Sequence, residues 1–236
     1  MEPKMPTPLR IENITKLVES KRATDIEKCI KRHEVTAVSI GEGGNAEIYA
    51  PEAKEFKKVC LKKIKSQPQI LTHDVIAEHN YQARCHKAGV RTPEPILALE
   101  TDQGQHILME RVYGYTVHEI LQKPSFLSKK FDYDTFCQTL EDSVKKMHAI
   151  GIYHRDLHSK NIMVDTKTGL PYIIDFGTAT EGSGSDLTYE ESVSLLNPVT
   201  GNYEQKNGYF KDDDKMIVNI RAALRQFRKV KKTLTN

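Results

Sequence analysis

The feature that most limits how this chain can fold is the octapeptide His154-Arg155-Asp156-Leu157-His158-Ser159-Lys160-Asn161, with Asp175-Phe176-Gly177 following nineteen residues after its aspartate. Two short apolar runs, Ile162–Asp165 and Tyr172–Ile174, lie between them and flank a Thr-Lys-Thr-Gly turn, which reads as a pair of strands. Asp156, Asn161 and Asp175 therefore fall at strand or loop edges, where carboxylate and amide groups are usable for chemistry. Ahead of them, Asp132–Ile150 carries Phe136, Leu140, Val144 and Met147 on one stripe, with Gly151 as a stop signal, and reads as a helix.

Those residue types in that order suit phosphoryl transfer, which needs little covalent chemistry but close positioning and charge neutralisation. A base must accept a hydroxyl proton, and oxygen ligands must hold Mg²⁺ (or Mn²⁺) between phosphates. Asp156 fits the first task, and Asn161 and Asp175 fit the second. Neither motif has a simple structural explanation that also accounts for the other.

Weaker signals upstream point the same way. Gly41-Glu42-Gly43-Gly44-Asn45-Ala46 sits between two expected strands, where bare N–H groups can approach phosphate oxygens. Alone, it is more simply a hairpin turn, and it has neither the strand-to-helix setting of a dinucleotide fingerprint nor a GKS or GKT sequence. Lys62 alternates with Cys60 along the next strand, which would let it pair with α- and β-phosphates. The neighbouring Lys57, Lys58, Lys63 and Lys65 make a solvated cation the competing explanation, so Lys62 needs a carboxylate to hold it. Glu78, in the following helix, is the natural choice.

Organisation changes along the 236 residues. Residues 8–33 carry helix-period stripes (Ile11, Ile14, Leu17 and Val18, then Ile26 and Ile30) and are expected to form one or two helices. Strands are expected at Val35–Ile40, Ala46–Ala50, Lys58–Ile64, Ile96–Glu100 and His106–Val112, with one helix, Thr72–Ala88, among them. Residues 178–211 are rich in Gly, Ser and Asn and read mostly as loop; a last helix is expected to begin near Asp212–Asp214. A 38% hydrophobic content supplies a core, and a net charge of +3 is too small to argue for a nucleic-acid partner. Cys29, Cys60, Cys85 and Cys137 form no CxxC pair and are expected to be reduced, buried thiols. His148 and His154 read as structural, since no second histidine lies at ligand spacing. Neither a signal-peptide core nor a membrane-spanning run is present, so a soluble, cytoplasmic protein is expected.

On these residues the sequence resembles the protein kinase-like superfamily, most of all its compact atypical members: the RIO-type kinases and the small effector kinases that pathogenic bacteria inject into host cells. The resemblance implies an α+β, bilobal fold with a five-stranded antiparallel N-lobe and a reduced, mainly helical C-lobe. Residues 1–34 would be a helical extension, 35–112 the N-lobe and hinge, and 113–236 the C-lobe. It also implies that residues 41–46 cover phosphate, that Lys62 and Glu78 form the lysine–glutamate pair, and that Met109 is the gatekeeper. The Glu110 carbonyl and Val112 amide would meet adenine.

Some residues depart from the family's pattern. His158 stands where serine/threonine kinases carry lysine, and Lys160 stands where tyrosine kinases carry an arginine that reaches the γ-phosphate. No APE motif follows, and 59 residues remain after Gly177, few for a peptide-docking lobe. One of Asp212, Asp213 or Asp214 would brace the catalytic loop. Arg155 could order the following loop through a phosphate on Thr178, Thr180, Ser183, Ser185, Thr188 or Tyr189; a permanent pairing with Glu181, Glu190 or Glu191 is the favoured alternative. Arg225, Arg228, Lys229, Lys231 and Lys232 form a basic tail that would contact an acidic partner or phosphoinositide, or simply be a solvated face. The expectation is a monomeric ATP- and Mg²⁺-dependent protein kinase acting on Ser or Thr, and, if an effector, one delivered to a host cytosol without a classical signal peptide. A small-molecule kinase and a non-catalytic binding module are the alternatives.

Overall fold

A computed structural model describes residues 15–19, 37–43, 46–52, 54–65, 74–101, 104–127, 131–182, 193–196, 203–206 and 213–234. The chain divides into two compact units, residues 1–83 with 93–111, and residues 84–92 with 112–236.

The first unit is a six-stranded antiparallel sheet: β1 (Thr15–Glu19), β2 (Ala37–Glu42), β3 (Ala46–Pro51), β4 (Val59–Ile64), β5 (Pro95–Thr101) and β6 (Gly104–Glu110), in the order β1-β5-β6-β4-β3-β2. Strand periodicity sorts β4 onto two faces. Val59 and Leu61 join Tyr49, Leu97, Leu99 and Leu108 in one cluster. Cys60 and Ile64 join Ala46, Ala98, Ile107 and Met109 in the other, together with Val75 of helix α1 (Val75–Lys87). Lys62 lies between Cys60 and Ile64 in that alternation, and Glu78 follows Val75 by one helical turn, so strand and helix periods set both toward one interface.

Here the expected helices of residues 8–33 need correction. Thr15–Glu19 is a strand paired antiparallel with β5, Thr15 opposite Glu100 and Glu19 opposite Leu97. The exposed N–H and C=O groups of the β5 edge offer pairing partners that a local helical stripe cannot match. The remainder of 8–33 lies outside the described residues.

In the second unit, β7 (Gly114–Thr116) leads into α2 (Val117–Gln122), and α3 (Tyr133–Ala149) is followed by β8 (Ile152–Tyr153), β9 (Ile162–Asp165), β10 (Pro171–Ile173) and β11 (Thr180–Glu181). After these come β12 (Val193–Leu196), β13 (Tyr203–Lys206) and α4 (Asp213–Leu234). Asp132 caps α3 by accepting from Thr135 N at 2.6 Å, and the stripe Phe136, Leu140, Val144 and Met147 is fully buried. The turn into α2 is a capping box: the Thr116 hydroxyl accepts from Glu119 N, and Glu119 accepts from Thr116 N. The sequence carries that Thr-x-x-Glu signal, although no helix was expected there. The described stretches of residues 178–211 include short strands, β11 pairing with β8 and β12 with β13. Val193–Leu196 and Tyr203 are strand formers whose signal is diluted by the surrounding Gly, Ser and Asn.

Residues 84–92 belong to the second unit rather than the first lobe. Their backbone is claimed there: Ile173 N donates to Arg91 O at 2.8 Å, Arg91 N to Ser143 Oγ at 3.4 Å, and Lys146 Nζ to Gly89 O at 3.2 Å. The Arg91 guanidinium also lies 4.5 Å from the centre of the Tyr172 ring.

Candidate active site

Lys62 Nζ donates to Glu78 Oε1 at 2.5 Å, and both side chains are at most 5% exposed. Two charges so far from water are tolerable only as a pair. Gln82, one turn beyond Glu78, fastens the same helix to the sheet by donating to Pro93 O at 2.8 Å and contacting Met109 Sδ at 3.7 Å.

The Gly-rich segment is both a hairpin and a tight loop. Gly41 is opposite Ile48 and Glu42 opposite Glu47, and Gly43 N closes the turn on Ala46 O at 2.8 Å. Lys65 holds the exposed Glu42 carboxyl below its ordinary pKa, by hydrogen bond and by charge. Gly44 and Asn45 lie outside the described residues. At the expected hinge, Met109 is buried, Glu110 N is committed to Glu94 O at 2.9 Å, and the Glu110 carbonyl faces the Cys60 thiol at 3.7 Å. Burial pushes that thiol up to about 12. Val112 is half-buried at the start of the second unit.

In the second unit the loop 154–161 is held from several sides. Asn161 Nδ2 donates to Asp156 O at 2.9 Å and to Asp156 Oδ2 at 3.3 Å. The amide nitrogen is thereby used on the aspartate, which turns the amide oxygen into the ligand-capable end. Ile174 N donates to Asn161 O at 3.0 Å, and His154 Nε2 bonds Ile174 O at 3.0 Å, so the residue before Asp175 is tied to both ends of the loop. Asp175 itself is exposed at φ 67, in the left-handed region that a non-glycine residue enters at a cost. Phe176 is buried against His154, with ring centroids 5.0 Å apart.

Asp213 is the acidic residue that braces this loop, which the sequence had left open among three. Its buried carboxylate accepts from His154 N at 2.9 Å and Arg155 N at 3.2 Å, and His148 Nε2 stands 3.0 Å away. His148 and His154 thus have structural partners. Arg155, also at positive φ, donates from Nε to Thr180 Oγ1 at 3.0 Å and lies 4.7 Å from the Tyr153 ring centre. Of the three carboxylates offered for Arg155 by the sequence, Glu181 pairs with Arg84 instead. Strand pairing explains this, because β11 places Thr180 opposite Tyr153 and successive residues point to opposite faces. Glu190 and Glu191 lie outside the described residues.

Around the loop are His158, whose Nε2 is 3.5 Å from Asp156 Oδ2, exposed Lys160, and His118 of α2. Burial, and then the Lys160 charge, hold the His118 pKa down. Among the described residues no three His, Cys, Asp or Glu side chains are arranged to hold a metal ion. Asn161 and Asp175 carry oxygen donors of the hard type that divalent cations take. No helix among those residues is long and apolar enough to cross a membrane.

An antiparallel sheet bearing a buried lysine–glutamate pair, with an aspartate–asparagine loop braced on a helix, defines a protein kinase-like domain. The protein kinase domain model matches residues 35–196, and the chain belongs to that family. It is similar to a probable bifunctional tRNA threonylcarbamoyladenosine biosynthesis protein of Methanococcus maripaludis, at 26% identity over 66% of this chain and 27% of that protein. It is also similar to a probable serine/threonine-protein kinase of Streptomyces coelicolor, at 25% identity over 70% of this chain and 25% of the relative. A serine/threonine-protein kinase of Myxococcus xanthus is 27% identical over 59% of this chain and 26% of its own length. The match thus spans about a quarter of each of these relatives.

Proposed function

We propose that the chain transfers the γ-phosphoryl group of ATP to a serine or threonine hydroxyl of a protein. The observation that carries this reading is the pinned Asp156–Asn161 pair beside Asp175, in a chain that also holds Lys62 on Glu78. Asp156 takes the proton of the attacking hydroxyl. The acceptor oxygen forms its bond to the γ-phosphorus as the bond to the β,γ-bridging oxygen breaks, and ADP leaves with that electron pair. Lys62, kept in place by Glu78, neutralises α- and β-phosphate charge. Residues 41–46 are the segment that would cover the phosphates, and Glu110 and Val112 present the carbonyl and amide that adenine requires. Asn161 and Asp175 are the residues that would hold a divalent cation, which when bound neutralises phosphate charge. Lys160 supplies a further cation for the γ-phosphate.

Similarity to serine/threonine-protein kinases supports a protein acceptor. Similarity to the Methanococcus maripaludis protein supports a second reading, in which the domain serves alongside a tRNA-modifying activity. Labelled ATP incubated with the purified chain, a cell lysate and separate tRNA and small-molecule pools decides between them, with Asp175→Ala as control. Labelled protein bands that vanish with the control are the expected result. Label confined to tRNA or small molecules would overturn the protein acceptor.

A further inference from the structure

His158 departs from the lysine expected at its position, and its surroundings give it a task of its own. Two histidines four residues apart in the same loop are set by one device. Asp156 N donates to His154 Nδ1 at 3.3 Å, and Lys160 N donates to His158 Nδ1 at 3.2 Å. A backbone N–H can only donate, so Nδ1 of each ring is the bare acceptor and the ring proton sits on Nε2. His154 directs that proton to Ile174 O. His158 directs its own toward Asp156 Oδ2, at 3.5 Å, with the two side chains 18% and 33% exposed. Asn161 Nδ2 donates to the same oxygen.

Resting on the kinase reading above, we propose that His158, as a neutral Nε2–H imidazole, is the positioning residue that orients the Asp156 carboxylate toward the acceptor hydroxyl. Oδ2 accepts from the Asn161 amide N–H, and the His158 Nε2–H stands 3.5 Å from the same oxygen, close enough to limit the rotation of the carboxylate. The 3.5 Å separation is long for a hydrogen bond, as catalytic contacts often are before substrate is bound. A neutral donor also suits a base. A cation at the same place would stabilise the carboxylate more and weaken its pull on the hydroxyl proton.

Two measurements on the full chain test this. Imidazole nitrogen NMR of the wild type should show His158 as the Nε2–H tautomer, with its signals displaced in Asp156→Ala. An Nδ1–H tautomer, or signals indifferent to that change, overturns the proposal whether or not the chain is active. Kinetically, His158→Ala should lower kcat roughly tenfold or more, with KM for ATP within about twofold. His158→Gln, whose amide nitrogen can occupy the Nε2 position, should recover most of the loss, and His158→Asn, which reaches only the Nδ1 position, should not. Equal kcat in His158→Ala and wild type, or equal behaviour of the Gln and Asn variants, sinks the inference while leaving the kinase reading intact. A wild type that labels no acceptor sinks that reading instead, and the tautomer still decides the geometry.

Discussion

Asp213 holds the backbone N–H of His154 at 2.9 Å across 59 residues of sequence. The same carboxylate accepts from Arg155 N and stands beside His148, so the first turn of α4 sets the backbone from which Asp156 projects. Replacing Asp213 by Ala leaves two backbone donors without their acceptor in a buried place, at about 1–3 kcal/mol each. The expected outcome is a lower melting temperature together with a fall in kcat. Asp213→Asn, which keeps an accepting oxygen, should lose less of both. Thermal melts beside steady-state kinetics check this, and a destabilised variant with wild-type kcat would separate the brace from the chemistry.

The Lys62–Glu78 pair should behave as a buried ion pair in a double-mutant cycle. Either Lys62→Met or Glu78→Gln alone strands a charge and should cost about 3–5 kcal/mol. The double variant should be more stable than the worse single one, while all three lose phosphoryl transfer. Denaturant titrations measure the stabilities, and additive losses would mean that the two charges are not coupled.

Gly114→Ala should destabilise the second unit severely. A methyl group there would overlap the Val164 carbonyl, the partner strand that β7 pairs with through Tyr115. Backbone cannot yield as a side-chain tip can, so a loss of about 3 kcal/mol or more is expected. A change in melting temperature of less than a few degrees would show that β7 can move away from β9.

Asp156→Ala and Asp175→Ala should fail in different ways. Without Asp156 the proton has no acceptor, so kcat should fall by about 10²–10⁴ while ATP affinity stays near wild type. Asp175→Ala should abolish transfer in a chain that remains folded, because the side chain is exposed. Nucleotide titration, kinetics and circular dichroism distinguish the two, and retained turnover in Asp175→Ala would remove the metal-holding role.

Much of the site was legible because short-range rules specify it. Alternation along Val59–Ile64 aligned Lys62 with Cys60, the following helix offered Glu78 as its carboxylate, and the spacing from Asp156 to Asn161 fits within a single loop. The stripe from Phe136 to Met147 likewise announced α3 from its own period. These are consequences of 2- and 3.6-residue repeats and of loop chemistry, all contained in neighbouring residues.

What needed tertiary structure was every choice between equivalent local options. Asp212, Asp213 and Asp214 are indistinguishable as helix-starting carboxylates, and only packing of α4 against the loop selects Asp213. Residues 15–19 carry a helical stripe, yet the open edge of β5 makes them a strand. Arg155 had acidic neighbours in sequence, but the β8–β11 pairing gave it Thr180 and sent Glu181 to Arg84. His158 looked like a missing lysine until the amide of Lys160 fixed its tautomer beside Asp156. Local sequence determines periods and chemical types; which of several like groups meets a given partner is decided by contacts between residues far apart in the chain.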